Sequence, residues 1–232
     1  MKIFISKNRK ILKKIIIYYN YITVINMNLL TSASIIIGTF AMSTMTAYFI
    51  CSLNNYLFIN PKFDNETRLE RVYDYIKNVP ILIIQSIGLI HLASNNIIHY
   101  GSHTILESFY YISIYCTLIE ANYYIYHRFI HKYYYELVHK KHHANVIVYP
   151  FDTYYLTSID DLASIISIGL PLFFIKISVI EIIIILYMYI TSSYLVHCDL
   201  YWSHHSIHHK LLRYNFCILF PIFDIIFGTY KM

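Results

Sequence analysis

The chain has 232 residues, of which 57% are hydrophobic and only 13% are charged, and its formal net charge is +5. Ordinary soluble domains are roughly 45–50% apolar, so this composition argues against a soluble globular protein. Several apolar runs also approach the roughly 20 residues that a helix needs to cross a bilayer. We therefore expect an integral membrane protein, and we expect no nucleic-acid partner.

Residues 1–30 combine a basic start with an apolar stretch. Six Lys and Arg side chains lie within residues 2–14. They are not followed by the small-residue cleavage site of a secretory signal, so we expect the segment to be retained. The positive-inside rule places it in the cytosol. Residues 15–30 could cross the membrane or lie along its surface, and the sequence leaves both arrangements open.

Four apolar regions follow in chain order. Residues 35–59, 79–98 and 105–126 are each long enough for one membrane span. Residues 60–78, between the first two, have the composition of a polar connector. Residues 162–196 are too long for one span and short for two, so they predict a tight helical hairpin. The expected fold is an all-α polytopic membrane protein with about four to five transmembrane helices.

Ten of the 13 histidines lie in three groups after the third predicted span. The groups are HRFIH at residues 127–131, HKKHH at 139–143 and HCDLYWSHHSIHH at 197–209. Residues three or four apart share one helix face, so each group can present its imidazoles together. The predicted hairpin can return the chain to the same membrane face. Packing these rings without a cation would leave ring nitrogens unsatisfied, so the pattern predicts metal binding.

The number of histidines predicts two metal ions. A catalytic zinc ion has about three protein ligands and about four ligands in total, so these imidazoles are too many for one ion. Imidazole suits iron, zinc, copper and nickel alike. Lysines flank the histidine groups, which favours the cytosolic face. The residues themselves thus predict a dinuclear, nitrogen-rich site at that face, with iron and zinc as candidates.

These motifs resemble the sterol desaturase/fatty acid hydroxylase superfamily. The resemblance covers about residues 105–231: one H-x-x-x-H, two copies of H-x-x-H-H, the segment EANYYIYHRFIH and the closing segment NFCILFPIFDIIFGTYK. It implies a membrane-anchoring region at 1–104 and a catalytic region at 105–232. It also implies two iron ions, which zinc could replace on purification, with molecular oxygen as co-substrate. Electrons would come from NAD(P)H through cytochrome b5 and its reductase as separate proteins.

Within the superfamily, the chain is similar to sterol C-5 desaturases. HKKHHANVIVYPF, followed by seven residues and ID, has the layout of that branch, whereas Tyr154, Thr157 and Ser158 depart from it. This implies that the protein introduces a C-5(6) double bond into a sterol, at the endoplasmic reticulum with the active site facing the cytosol. Sterol C-4 methyl oxidation and hydroxylation of a fatty acid or sphingoid base are alternatives.

The alternatives outside the superfamily are a metal transporter and a zinc hydrolase. Transporter sites lie near the bilayer midplane, whereas these histidines follow the ends of predicted spans. A zinc hydrolase is disfavoured because H-E-x-x-H does not occur in the chain. An enzyme acting on a membrane lipid is therefore the preferred interpretation.

The superfamily resemblance assigns the clustered histidines as metal ligands. The candidates are His127, His131, His139, His142, His143, His197, His204, His205, His208 and His209. His204 is either a tenth ligand or a neighbour of one. Metal-bound imidazoles usually donate the N–H of their other ring nitrogen to a carboxylate or carbonyl. The carboxylates predicted for this role are Glu120, Asp160, Asp199 and Asp224, with Asp161 as a further candidate.

Overall fold

The computed structural model describes residues 28–94, 98–99, 103–198, 200–201 and 203–232. The predictions made for residues 1–27 and for Asp199 lie outside this part of the chain. Most of the described residues are helical, as expected of an all-α protein. One short parallel pairing joins Ile98–His99 (β1) to Ile177–Ser178 (β2).

Seven α-helices lie within the described residues. They are α1 (Leu29–Leu53), α2 (Asn65–Ser94), α3 (Ile105–Tyr133), α4 (Ser158–Gly169), α5 (Val179–Leu195), α6 (His204–Leu211) and α7 (Ile222–Ile226). Shorter helical turns lie between them: a π-helix at Tyr135–His139 and 3-10 turns at His142–Ala144, Pro150–Tyr154 and Leu170–Phe173. The long helices thus come first, and most of the short elements carry or adjoin the histidines.

Polar residues fix where several helices begin. Thr104 and Glu107 form a reciprocal capping box at the start of α3, and Ser178 and Glu181 form another at the start of α5. The Thr157 side chain caps α4. Each cap satisfies backbone N–H groups that have no partner within the helix. Short polar sequences between apolar runs therefore set the helix boundaries.

Within the part of the chain that the structure describes, two helices are long and apolar enough to cross a membrane, Leu29–Leu53 and Asn65–Ala93. They overlap the first two predicted spans, but α1 starts six residues earlier than predicted. Residues 65–78 of the predicted connector are helical, since α2 begins at Asn65 and continues through them into the apolar run. Helix α5 is apolar but shorter than a full span. The count of four to five spans stays a prediction.

The apolar run 162–196 folds as two helices joined by a turn. Helix α4 ends at Gly169, and α5 begins at Val179 after the 3-10 turn and β2. The hairpin is not tight, because α4 packs mainly on α2 and α3, whereas α5 packs mainly on α1. This arrangement leaves space between the two arms beside the histidines.

Large apolar side chains are exposed along the outer faces of the three long helices. Exposed fractions are 76% for Leu30, 72% for Met45, 68% for Ile84, 78% for Leu106 and 70% for Phe109. Soluble monomers rarely expose extended apolar patches. The exposed faces therefore suit contact with lipid, in agreement with the predicted membrane protein.

Candidate metal centre

Nine of the ten candidate ligands form two adjacent groups. In each group, one ring nitrogen from every histidine lies within 4.8 Å of the others. The first group contains His127, His131, His139, His143 and His208. The second group contains His142, His197, His205 and His209. The structure therefore brings together histidines from all three sequence motifs.

The HKKHH motif at residues 139–143 is divided between the two spatial groups. The sequence predicted that His139, His142 and His143 face one way, but His142 belongs to the second group and the other two to the first. The prediction was wrong because the chain here is not a continuous α-helix. A π-helix ends at His139, and a 3-10 turn begins at His142. His143 also has non-helical dihedral angles, with φ −87° and ψ 15°.

Pairs four residues apart in the motifs nevertheless stay together. His127 and His131 lie one turn apart on α3 and share the first group. His205 and His209 lie one turn apart on α6 and share the second group, whereas His208 turns toward the first. A separation of four residues keeps side chains on one helix face. Helix α6 therefore supplies ligands to both groups.

The ring nitrogens within each group face one another. Distances between Nε2 atoms in the first group are 3.0 Å for His127–His139, 3.1 Å for His131–His208 and 3.2 Å for His143–His208. In the second group they are 3.2 Å for His205–His209 and 3.4 Å for His142–His197. Two nitrogens bound to one ion at about 2.1 Å lie roughly 3 Å apart. Both groups thus have the spacing of ligands around a shared ion.

Hydrogen bonds from Nδ1 to neighbouring oxygen atoms fix which ring nitrogen carries the proton. His127 Nδ1 lies 2.8 Å from the Phe216 carbonyl oxygen, and His139 Nδ1 lies 2.7 Å from Asp160 Oδ2. Both partners are acceptors, so each Nδ1 must donate. A neutral imidazole has only one N–H, so both Nε2 atoms present lone pairs to each other at 3.0 Å. A cation between them turns this repulsion into coordination.

Three further rings are oriented in the same way by backbone carbonyls. Nδ1 of His208 lies 2.7 Å from Tyr214 O, Nδ1 of His197 lies 2.7 Å from Ser193 O, and Nδ1 of His209 lies 3.3 Å from Asn145 O. This is the pattern in which the N–H of the non-coordinating ring nitrogen anchors a metal-binding imidazole. Sequence reasoning missed these acceptors, because every residue carries a carbonyl and no side-chain pattern marks the one that is used.

Burial keeps the rings neutral. Burial, followed by neighbouring imidazoles, holds the pKa values of His142 and His205 well below the ordinary histidine value. The same two causes lower the pKa of His131 to about 3, and burial is the main cause that lowers that of His197 to about 4. At neutral pH these side chains therefore offer lone pairs instead of positive charges, as metal binding requires.

Among the predicted carboxylates, Asp160 contacts a ligand directly. Its Oδ2 accepts from His139 Nδ1 at 2.7 Å, and both side chains are only 1% exposed. Its other oxygen accepts from the Tyr126 hydroxyl. Both carboxyl oxygens are thus occupied, which fixes the His139 ring in one orientation.

Glu120 and Asp224 accept hydrogen bonds mainly from the backbone and form none with a described imidazole. Glu120 accepts from the backbone N–H groups of residues 218–220 and from the Tyr189 hydroxyl. Asp224 accepts from the N–H groups of Phe216 and Cys217, each at 2.8 Å. Glu120 shares a helix face with His127, but seven residues span about 10 Å along the axis. The two carboxylates instead hold the segment whose carbonyls orient the histidines.

His204 belongs to neither group. Its Nε2 lies 2.9 Å from the Ile218 carbonyl oxygen. The backbone carbonyl of His204 accepts from the Asn215 side chain at 2.9 Å. Its ring is buried against the segment that Glu120 and Asp224 hold. The contacts favour the second of the two roles open for His204, that of a neighbour to the ligands.

The fatty acid hydroxylase family model matches residues 112–229, just over half of the chain. This match includes all nine grouped histidines. The chain belongs to the fatty acid hydroxylase family. It matches no curated protein and no solved structure. The superfamily prediction is confirmed, and family membership together with the two apolar helices indicates a membrane lipid oxidase or hydroxylase.

In this member of the family, an apolar cavity of about 150 Å³ reaches the second histidine group. His142, His197 and His205 line it. Most of the remaining wall consists of isoleucine, leucine and aromatic side chains from α1 to α5. The cavity uses the space between α4 and α5, so an apolar molecule inside it would contact the metal-binding histidines.

Proposed function

We propose that this protein is a membrane-bound lipid oxidoreductase that depends on molecular oxygen and on two iron ions. The observation that carries the proposal is the pair of histidine groups with inward-facing lone pairs. One group would hold each ion, and zinc could replace iron on purification. When bound, the iron pair supplies the oxidation of an unactivated C–H bond.

The protein's own residues orient the ligands and exclude water. Asp160 and the carbonyls of residues 145, 193, 214 and 216 hold five of the nine rings by their second nitrogen. The apolar cavity wall removes water from the space beside the second group and accepts the hydrocarbon part of a lipid. Exclusion of water protects a reactive centre from side reactions.

The preferred reaction is the introduction of a C-5(6) double bond into a sterol. Its support is the similarity of the HKKHH…ID layout to sterol C-5 desaturases. Sterol C-4 methyl oxidation and hydroxylation of a fatty acid or sphingoid base would use the same centre. Electrons would come from cytochrome b5 and its reductase at the cytosolic face of the endoplasmic reticulum. Metal transport is disfavoured, because hydrogen bonds hold these buried rings in fixed orientations.

The test is expression in cells that lack sterol C-5 desaturase, followed by sterol profiling. Appearance of the 5,6 double bond supports the preferred reaction, and the His208→Ala variant should not produce it. If sterols are unchanged but a hydroxylated lipid accumulates, the alternative within the family replaces the preferred reaction. If the wild-type protein alters no lipid, the proposal of a lipid oxidoreductase is contradicted.

A further inference from the structure

Asp161 is a buried carboxyl group that the metal centre does not use. Its side chain is only 2% exposed, and its Oδ1 has no hydrogen-bond partner among the described residues. The adjacent Asp160 differs, since His139 and Tyr126 occupy both of its oxygens. A buried polar atom without a partner is costly. Oδ1 of Asp161 is therefore available for a partner from outside the protein.

The surroundings of Asp161 show where that partner would lie. Asp161 lines the same cavity as His142, His197 and His205, and it is the one carboxyl group among the described lining residues. Ser164 follows one turn later on α4 and lines the cavity too. A polar group in a mostly apolar pocket is the usual means of orienting a ligand.

The chemistry of the cavity selects among lipid head groups. The described lining residues include no Lys or Arg, so no side chain of the lining would offset the repulsion between a fatty acid carboxylate and the ionised Asp161. Burial, followed by the adjacent Asp160, raises the pKa of Asp161 to about 7. A hydroxyl group can donate to the ionised carboxylate and accept from the protonated acid. A lipid hydroxyl group therefore has a hydrogen-bond partner in both protonation states of Asp161, whereas an ammonium group has an acceptor only in the ionised state.

We infer that Asp161 is a specificity-determining residue that binds the hydroxyl group of a neutral, mainly hydrocarbon lipid inside the cavity. That this lipid is a substrate rests on the proposed function. The inference narrows that function to hydroxyl-bearing lipids, as opposed to free fatty acids. Binding itself does not depend on turnover, so the two statements can fail separately.

The experiment measures equilibrium binding of radiolabelled lipids to the purified full chain in detergent. Two probe pairs differ only in the hydroxyl group: octadecan-1-ol with octadecane, and cholesterol with cholest-5-ene. The wild-type protein should bind the hydroxyl member of at least one pair about tenfold more tightly. Asp161→Leu should bring this ratio close to one without weakening hydrocarbon binding. Asp161→Asn, which keeps hydrogen-bonding capacity, should retain most of it.

Glu136→Gln is the matched control, because it neutralises a carboxylate that is 74% exposed at the surface. It should leave the ratio at the wild-type value. Equal ratios in the wild-type protein and Asp161→Leu would overturn the inference, as would a wild-type ratio near one for both pairs. Tighter binding of octadecylamine or octadecanoate than of octadecan-1-ol would overturn the choice of a hydroxyl group. Absence of any lipid oxidation alongside an intact ratio would instead contradict the proposed function alone.

Discussion

Removal of the Asp160 carboxylate should weaken metal binding in one histidine group and spare the other. Asp160 contacts His139, which belongs to the first group, and no ligand of the second group bonds to it. In Asp160→Ala, the His139 Nδ1–H loses its acceptor in a site where both side chains are 1% exposed. The ring is then free to rotate, and its Nε2 becomes a weaker donor to the ion.

The expected loss follows from the kind of hydrogen bond involved. A hydrogen bond to a charged group contributes about 1.5–3 kcal/mol, which corresponds to a factor of roughly 10 to 150 in the binding constant. Substitution of such outer partners typically lowers metal affinity about 10- to 100-fold. Asp160→Asn keeps an acceptor but loses the charge, so its loss should be smaller. Asp161→Asn is the control, because Asp161 contacts no ligand.

The assay is metal content per chain after dialysis against a series of chelator concentrations. The wild-type protein and Asp161→Asn should release both ions at high chelator concentration. Asp160→Ala should release one ion at a concentration about 10- to 100-fold lower and keep the other. Identical release curves for Asp160→Ala and the wild-type protein would refute the role assigned to this carboxylate.

Three other outcomes are expected. Glu120→Ala leaves the buried N–H groups of residues 218–220 without their acceptor, so the free energy of unfolding should fall by about 3 kcal/mol or more; an unchanged thermal midpoint in detergent would count against it. In metal-free protein, burial lowers the pKa values of His131 and His197 to about 3 and 4. Below about pH 6.5 the unfolded chain therefore binds more protons than the folded one. The free energy of unfolding should then decrease as the pH falls. Denaturant titrations at pH 7.5 and 5.5 test this, and greater stability at pH 5.5 would contradict it. Removal of metal by chelation should lower the thermal midpoint at neutral pH, and an unchanged midpoint would argue against a folded-state metal site.

The sequence predicted which segments are helical and which histidines come together. It predicted less well how the helices and histidines are arranged. Apolar runs locate α1, α3 and α5, because the length of an apolar run is a local property. Helix α2 starts before its apolar part, since its first turns expose polar residues to solvent and keep the helical backbone. Local patterns cannot show that a predicted connector continues as a helix.

The division of the histidines into two groups depends on backbone irregularities that have no simple sequence signal. His142 leaves its motif because the chain changes from a π-helix to a 3-10 turn between His139 and His142. The roles of Glu120 and Asp224 likewise depend on the return of residues 216–220 to α3. Spacing predicts which residues meet within one helix, but contacts between distant segments require the tertiary structure.

Metal content per chain tests the central claim most directly. The full chain, purified and loaded with Fe(II) without oxygen, should contain about two iron ions. His143→Ala, in the first group, and His205→Ala, in the second, should each bring the content close to one ion, whereas His204→Ala should retain both. A single ion in the wild-type protein, or a loss of both ions in His204→Ala with the fold intact, would contradict a centre built from these two histidine groups.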